Sequence, residues 1–317
     1  MTKPKTVSAF ALLLLLITSS SFKVMLGRSS LTEKTISISG AFALYPLAVK
    51  WGEEYKKIHP DVRFDISAGG AGKGIADALG GMVDIGAVSR EIYPEEIKKG
   101  AFAIAVAKDA VVPTTNAANP NIKEIMMKGL KKSDFEKIFA SKLFKNWKQA
   151  GFQVSAPIHA YTRSDASGAG ETWAKYLNKK QEDLDGVGVF GDPGLLQAVK
   201  KDVIGIGYNN IAYAFDSKTK KQLQGIAIIP IDINENGKID ADENFYHNQD
   251  ELMNAIGAGK FPSPPARDLY FVTKNKPQNK TVADFLKWVL TDGQKFVAES
   301  GYIALPKEKL AAELGKL

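Results

Sequence analysis

A strand, a loop of small residues and the start of a helix follow one another three times between residues 35 and 177. TISIS (35–39) alternates with period two, GAFALYP follows, and LAVKWGEEYKKI has helical spacing. Val62, Phe64 and Ile66 alternate in HPDVRFDIS, ahead of AGGAGKG and the helical GIADALGGM. PIHAYTRS, DASGAG and ETWAKYLNKK repeat the arrangement. A helix begins with N–H groups that have no intrahelical partner and with a partial positive charge. Glycine and alanine keep side chains out of the way, so backbone can touch a guest there. A small oxyanion fits such a place. The third loop adds Arg163, whose planar fork matches phosphate oxygens. Asp165 is placed to hold that guanidinium, Ser167 offers a hydroxyl, and Gly168 and Ala169 offer N–H groups.

The remaining segments keep the alternation. VDIGAVS and FAIAVAKDAVVPTTN read as buried strands, and Lys132–Trp147 as one amphipathic helix with Ser133 as its N-cap. GDPGLLQAVKKD reads as a helix before the strand VIGIGYNN. The C-terminal part reads as a strand, DLYFVTK, and a long helix, TVADFLKWVLTDGQKFVAES. Strands alternating with helices predict an α/β fold with largely parallel sheets. A chain of 317 residues has room for two domains. SAGGAGKG is not a Walker loop, because Ser67 replaces the first glycine and Gly74 replaces the magnesium-binding hydroxyl. It is not a dinucleotide fingerprint either, since Gly70, Gly72 and Gly74 give G-x-G-x-G.

The formal charge is +7, and four of the cations, Lys3, Lys5, Lys23 and Arg28, lie in the first 30 residues, which hold no acid. The rest carries little net charge and no basic stripe interleaved with aromatics, so nucleic acid is not an expected partner. Residues 1–30 read as a signal peptide or an N-terminal anchor. Lys3 and Lys5 precede an apolar run from Val7 to Ile17, short for a bilayer and suited to an export segment, with cleavage at SSSF or LGRSS. The sequence has no cysteine, which excludes disulfides and thiol catalysis. His59, His159 and His247 lack metal-ligand spacing, and no G-x-S-x-G elbow surrounds Ser167. Trp51, Trp147, Trp173 and Trp288 fall in helical patterns, as core or cleft-edge residues.

DINENGKIDADE, residues 232–243, matches the EF-hand pattern D-x-[DN]-x-[DN]-G-x5-E. Asp232, Asn234, Asn236, Asp240 and Glu243 supply side-chain oxygens, Lys238 its carbonyl, and Gly237 the turn. Ile239 is expected to pack inward. The flanks PIDI and FYHNQDE do not read as a helix pair, so the expectation is a structural Ca2+ clip.

Over roughly residues 35–310 the order of blocks resembles that of the phosphate-binding periplasmic components of phosphate ABC transporters. ISGAFALYPLAVKWGEEY is similar to that family's first phosphate loop and helix, and ISAGGAGKGIADALGGMVDIGAVSRE to its second loop and next strand. RSDASGAGETW is similar to its R-x-D-x-S-G-T motif. FEKIFASKLFKNWK, IGIGYNN and LYFVTK, with FLKWVLTDGQKFVAESGYIAL, resemble its later blocks.

The resemblance implies a two-lobed, hinged α/β fold, each lobe a central largely parallel sheet flanked by helices, with the anion dehydrated in the cleft. Residues 34–108 plus 266–317 would form lobe one and 109–265 lobe two, with loop 232–243 inside it. Leu44 and Tyr45 would donate from the first loop, Gly70 and Ala71 from the second, and Ser89 from the end of the next strand. Arg163, Ser167, Gly168 and Ala169 would come from the third loop, with Asp165 bracing Arg163. The implied protein is an exported, monomeric, periplasmic or cell-envelope binding protein, not an enzyme, that delivers inorganic phosphate to a membrane ABC permease. Sulfate, arsenate or molybdate is the alternative ligand, and phosphoester hydrolysis the alternative activity. The chain departs from the family at Ala169, where threonine is usual, at Ala43 and Leu44, where a hydroxyl is common, and at Ser89, where some members carry an aspartate. Glu91 is the nearest substitute carboxylate in sequence.

Overall fold

The computed structural model describes residues 34–317, so the reading of residues 1–30 lies outside the described residues. Strand β1 (Lys34–Gly40) buries Ile36 and Ile38 and leads into the first small-residue loop. Helix α1 (Tyr45–Ile58) carries Pro46 in its first turn, where the missing N–H breaks no helical bond. There follow β2 (Val62–Ala68), α2 (Ala71–Gly80), β3 (Ile85–Val88), α3 (Pro94–Lys98) and the long strand β4 (Ala101–Asn116). Helices α4 (Ile122–Lys128) and α5 (Lys132–Phe139) precede β5 (His159–Arg163), α6 (Gly168–Tyr176), β6 (Val187–Val189), α7 (Gly191–Lys201) and β7 (Gly205–Asn210). The chain continues through β8 (Ile226–Ile228), α8 (Gln249–Gly257), β9 (Ala266–Lys274), α9 (Lys280–Leu290), α10 (Lys295–Glu299) and α11 (Lys307–Lys316).

The strands run in the order β2-β1-β3-β9-β4-β7-β5-β6, with β8 also on β4. β1 pairs in parallel with β2 and β3, and β5 with β6 and β7. Between these two groups, β9 is antiparallel to β3 and β4, and β4 is antiparallel to β7 and β8. The sheet is therefore mixed, not largely parallel as expected. The alternating pattern did foretell the parallel groups, because each is built from strand–helix–strand crossovers. β4 and β9 belong to no such unit; they run between the groups.

Two hydrophobic cores lie on either side of this crossing. Ile36, Ile38, Leu47, Trp51, Ile104, Phe271 and Phe285 belong to one, which draws on residues up to Ala107 and from Leu269 onward. Phe135, Phe139, Trp147, Trp173, Tyr208 and Leu252 belong to the other, which spans Ala110 to Ala266. In the second core Trp173 meets Phe135 and Phe139 edge-on at 5.1 and 5.8 Å and stacks on Tyr208 at 5.7 Å.

Two expected helices are shorter than their patterns. The Lys132–Trp147 helix stops at Phe139: the N–H groups of Ala140 and Ser141 both return to Glu136 O, and Lys142 adopts φ 57°. Trp147 packs from the loop beyond, edge-on to Phe152 at 5.4 Å. The C-terminal helix breaks at Thr291 into α9 and α10, where Gly293 packs on Trp288. No helix among the described residues is long and apolar enough to cross a membrane.

Helix α2 sits on β1 and β3 through Gly74, where a Cβ would overlap Ala87 O and lie 2.9 Å from Gly40 Cα. Gly74→Ala is expected to lower stability by about 1–3 kcal/mol, as overpacking of a filled core does. A thermal melt superimposing on that of the parent protein would refute this seating.

Candidate functional site

The three small-residue loops meet. The Gly69 and Gly70 N–H groups donate to Gly40 O at 2.8 and 3.0 Å, which ties the second loop to the first. The Gly72 N–H donates to Ala166 O at 3.0 Å, which ties the second to the third. A Cβ at Gly70 would lie 2.7 Å from Asp165 Oδ2, one at Gly72 would lie 2.5 Å from Ala166 Cβ, and one at Gly168 would overlap Ser89 Oγ. These glycines thus allow the loops to approach one another, in addition to any guest. Gly70 also takes φ 94°, a backbone geometry that side chains disfavour.

Arg163 closes β5, and its side chain is buried. Nε and Nη2 donate to Asp165 at 2.8 and 2.6 Å, and Nη1 donates to Asp192 Oδ2 at 2.6 Å. Burial opposes the charge, but Asp192 and Asp165 outweigh it and raise the proton affinity of the guanidinium. Three of the roughly five guanidinium N–H donors are taken, leaving the others for a guest. The Phe42 ring covers the guanidinium at 5.3 Å. Asp165 therefore braces Arg163, as its spacing suggested. Asp192 escaped the sequence reading, because at the start of α7 it looks like an ordinary first-turn acid. It is fixed by Asn210 Nδ2, which donates to Asp192 Oδ1 at 2.6 Å.

Among the described residues, the N–H groups of Phe42, Ala43, Ala71, Gly168 and Ala169 make no hydrogen bond. Leu44 and Tyr45 N–H donate to Ala41 O and Phe42 O at 3.1–3.2 Å, so in this form they close the turn into α1. Ser167 caps α6: its Oγ accepts from Gly170 N–H at 3.1 Å, and its own N–H donates to Gln181 Oε1 at 3.0 Å. Ser89 is buried at the end of β3, against Gly168. Glu91 is exposed and pairs with Lys175. Arg90, also unforeseen, forks onto Glu96 at 2.9 and 2.6 Å and lies 3.1 Å from Glu171 of α6, whose carboxyl burial pushes up.

Where β4 and β9 cross between the cores, Asp109 stands opposite Arg267. Arg267 donates to Gly168 O, to Asn210 Oδ1 and, at 2.9 Å, to Thr172 Oγ1. Asp109 is wholly buried, and burial pushes its carboxyl up to about 6, against the pull of Arg267. A cavity of about 1300 Å³ opens alongside, lined in part by Arg90, Arg163, Asp165, Glu171 and Arg267. Neither Asp109 nor Arg267 carried a sequence signal.

In loop 232–243, Asp232 and Glu243 are buried. Asp232 accepts from Asn236 and Gly237 N–H at 3.1 and 2.8 Å, and Glu243 Oε1 accepts from Ile233 and Asn234 N–H at 2.9 Å. Asn234 and Asn236 donate from Nδ2 to Asp240 Oδ2, while Lys238 Nζ holds Asp240 Oδ1 at 2.6 Å. Ile239 packs against Gly129 and donates its N–H to Met127 O. No group of three or more His, Cys, Asp or Glu placed to hold a metal occurs among the described residues. His159 pairs with Asp202 and His247 with Glu251.

A family description, the PBP superfamily domain, matches residues 28–293. The chain belongs to this superfamily. Among curated relatives, the superfamily member is 26% identical over 285 residues to the phosphate-binding protein PstS of Staphylococcus epidermidis, covering 88% of this chain and 81% of the relative. It is 28% identical to the PstS of Pseudomonas aeruginosa, covering 91% and 89% of the two chains. Its fold matches that of a putative phosphate ABC transporter substrate-binding protein with bound phosphate from Clostridium perfringens, with TM-score 0.70, 24% identity, and 86% and 100% coverage.

Removing one carboxylate from a buried ion pair typically costs about 3–5 kcal/mol. Asp192→Ala is expected to destabilise the ligand-free protein on that scale, and Asp192→Asn by less. An unchanged melting temperature in Asp192→Ala would show that Arg163 does not depend on this partner.

Proposed function

We propose that the chain captures inorganic phosphate between two lobes and delivers it to a membrane ABC permease. The observation that carries this reading is the fixed Arg163 fork, with N–H groups to spare, set among loops that meet and that leave N–H groups unpaired at the starts of α1, α2 and α6. Helix starts and a charge-assisted fork are the groups that replace the hydration shell of an oxyanion. The PstS names of the relatives support phosphate as the guest and transport, rather than turnover, as the role. We assign residues 34–108 plus 266–317 to lobe one and 109–265 to lobe two, following the division of the two cores. The contacts of Gly72 with Ala166 and of Gly168 with Ser89 then join one lobe to the other in a closed form. We further read residues 1–30 as the export segment and the working protein as a periplasmic or cell-envelope monomer.

Titration calorimetry of the anion-stripped protein with phosphate is expected to give binding at micromolar or lower concentration, on the order of 8 kcal/mol. Arg163→Ala removes charge-assisted bonds of about 1.5–3 kcal/mol each and leaves Asp165 and Asp192 facing the anion, so a loss of at least about a hundredfold is expected. Gly72→Val, which obstructs closure and leaves the anchor intact, should weaken binding with the fold retained. Undiminished affinity in Arg163→Ala would eliminate the cradle.

We also propose that loop 232–243 takes a structural calcium ion. The twelve-residue spacing and the inward Asp232 and Glu243 support it, and Asp240 would exchange Lys238 for the metal. Calcium at millimolar concentration is expected to raise the melting temperature, and Glu243→Gln to abolish the rise; equal melts with calcium and with chelator would dismiss the site.

A further inference from the structure

At the wall of the cavity a buried cation stands between two carboxylates, one from each proposed lobe. Arg90 follows β3. Its Nη1 and Nη2 donate to Glu96 of α3 at 2.9 and 2.6 Å, Nη1 also donates to Glu91 O at 2.7 Å, and the Tyr93 ring covers the guanidinium at 4.3 Å. All of these partners are close neighbours in sequence, so they fix Arg90 whether the lobes are together or apart. Its Nε lies 3.1 Å from Glu171 Oε2, which belongs to the other lobe.

Glu171 lies in the first turn of α6, the helix whose Gly168 and Ala169 N–H groups are unpaired. A carboxylate there is drawn to the same helix start that would receive the anion, and its charge opposes the guest. Burial pushes this carboxyl up; Arg90 and then Arg267 pull it down, while Glu182 and Glu91 act with the burial. Arg90 is thus the strongest of the charges that keep Glu171 ionised.

Four residues further along α6, Lys175 pairs with Glu91 at 2.6 Å, also across the cleft. These side chains are 53% and 72% exposed, a setting in which an ion pair contributes little. The inner pair differs, because removing Arg90 leaves Glu171 mostly buried and without its nearest cation.

We infer that Arg90 is a latch for closure: held ready by Glu96, it receives Glu171 when the lobes come together and cancels the carboxylate in the first turn of α6. The inference rests on the phosphate reading of the cradle and adds a positioning residue that couples closure to the grip on the guest. With both partners present, attraction and loss of hydration nearly balance, so the pair does not hold the lobes shut by itself. With Arg90 gone, closure buries an uncompensated carboxylate near the anion. With Glu171 neutral, neither the attraction nor the repulsion remains.

The test is a double-mutant cycle on phosphate affinity, read by calorimetry of the anion-stripped protein. Arg90→Gln is expected to weaken phosphate at least about tenfold, and Glu171→Gln to change it by less than about threefold. Arg90→Gln combined with Glu171→Gln should bind like Glu171→Gln alone. The loss in Arg90→Gln should lie in the release rate, since in the open form Glu171 lacks Arg90 in parent and variant alike. A loss that persists in the double variant assigns Arg90 to the folding of its own lobe through Glu96 and overturns the inference. Unchanged affinity in Arg90→Gln, or a loss wholly in the association rate, overturns it as well. Should Arg90→Gln not fold, Arg90→Lys decides, because it keeps a charge for Glu96 but lacks the fork that serves two carboxylates: a loss of at least about threefold that Glu171→Gln restores supports the latch, and no such loss overturns it. A parent protein that binds phosphate without this coupling loses only this inference; one that binds no phosphate overturns the phosphate reading and the latch together.

Discussion

A guanidinium taken out of water needs carboxylates on more than one side, and Arg163 obtains them from two different elements. Asp165 follows it in the same loop, while Asp192 arrives from the first turn of α7 and is itself held by Asn210 at the end of β7. The end of β5, the start of α7 and the end of β7 must therefore coincide within hydrogen-bonding reach. The parallel pairing of β5 with β7 places those strand ends together, at the edge where helix N-termini also gather. An anchor specified this tightly gives up little further freedom when an anion arrives. Its stiffness also means that the N–H groups of the fork not used by the two carboxylates are held in fixed directions.

The two cores share only β4 and β9 as continuous sheet structure, and both strands are antiparallel to their neighbours. Each core draws its apolar side chains from one side of the crossing, so motion between them need not open either. Contacts between the two sides are mostly polar or small, Gly72 N–H to Ala166 O, Gly168 against Ser89 and Arg90 with Glu171, with one aromatic pair, the Phe42 ring edge-on to Phe190 at 5.7 Å. Contacts of this kind form and break at little free-energy difference, as the proposed closure over a ligand would require.

Local features were legible in the sequence, and convergent ones were not. Each loop announced itself because glycine, alanine and a following helical pattern are neighbours along the chain. The Asp165 brace was readable for the same reason, at two residues from Arg163. Asp192, Arg267 and Asp109 reach the site through pairings across tens of residues, which leave no trace in local periodicity. Asp109 is the extreme case, a single charge in the apolar run AVAKDAVV, where only the register of β4 against β9 gives it a partner. The helix expected over 132–147 failed because amphipathic spacing continues past Phe139, whereas the backbone turns at Lys142 to seat Trp147. The Leu44 and Tyr45 N–H groups close the loop's own turn in this form, while those of Phe42 and Ala43, which the sequence did not single out, are without a partner among the described residues.

The charged groups packed directly around the Arg163 fork do not by themselves favour an anion by their sum. Arg163 and Arg267 face Asp109, Asp165 and Asp192, so with every group ionised the carboxylates outnumber the guanidiniums. Attraction of an anion at a distance would come from the rim of the cavity, where Lys108, Lys175, Lys179 and Lys180 stand. Close to the fork the guidance is directional: unpaired N–H groups at three helix starts and the spare N–H groups of a clamped guanidinium. In such a surrounding a misplaced acceptor is as consequential as a well-placed donor. A site built this way would select its guest by the directions of its donors and acceptors more than by net charge.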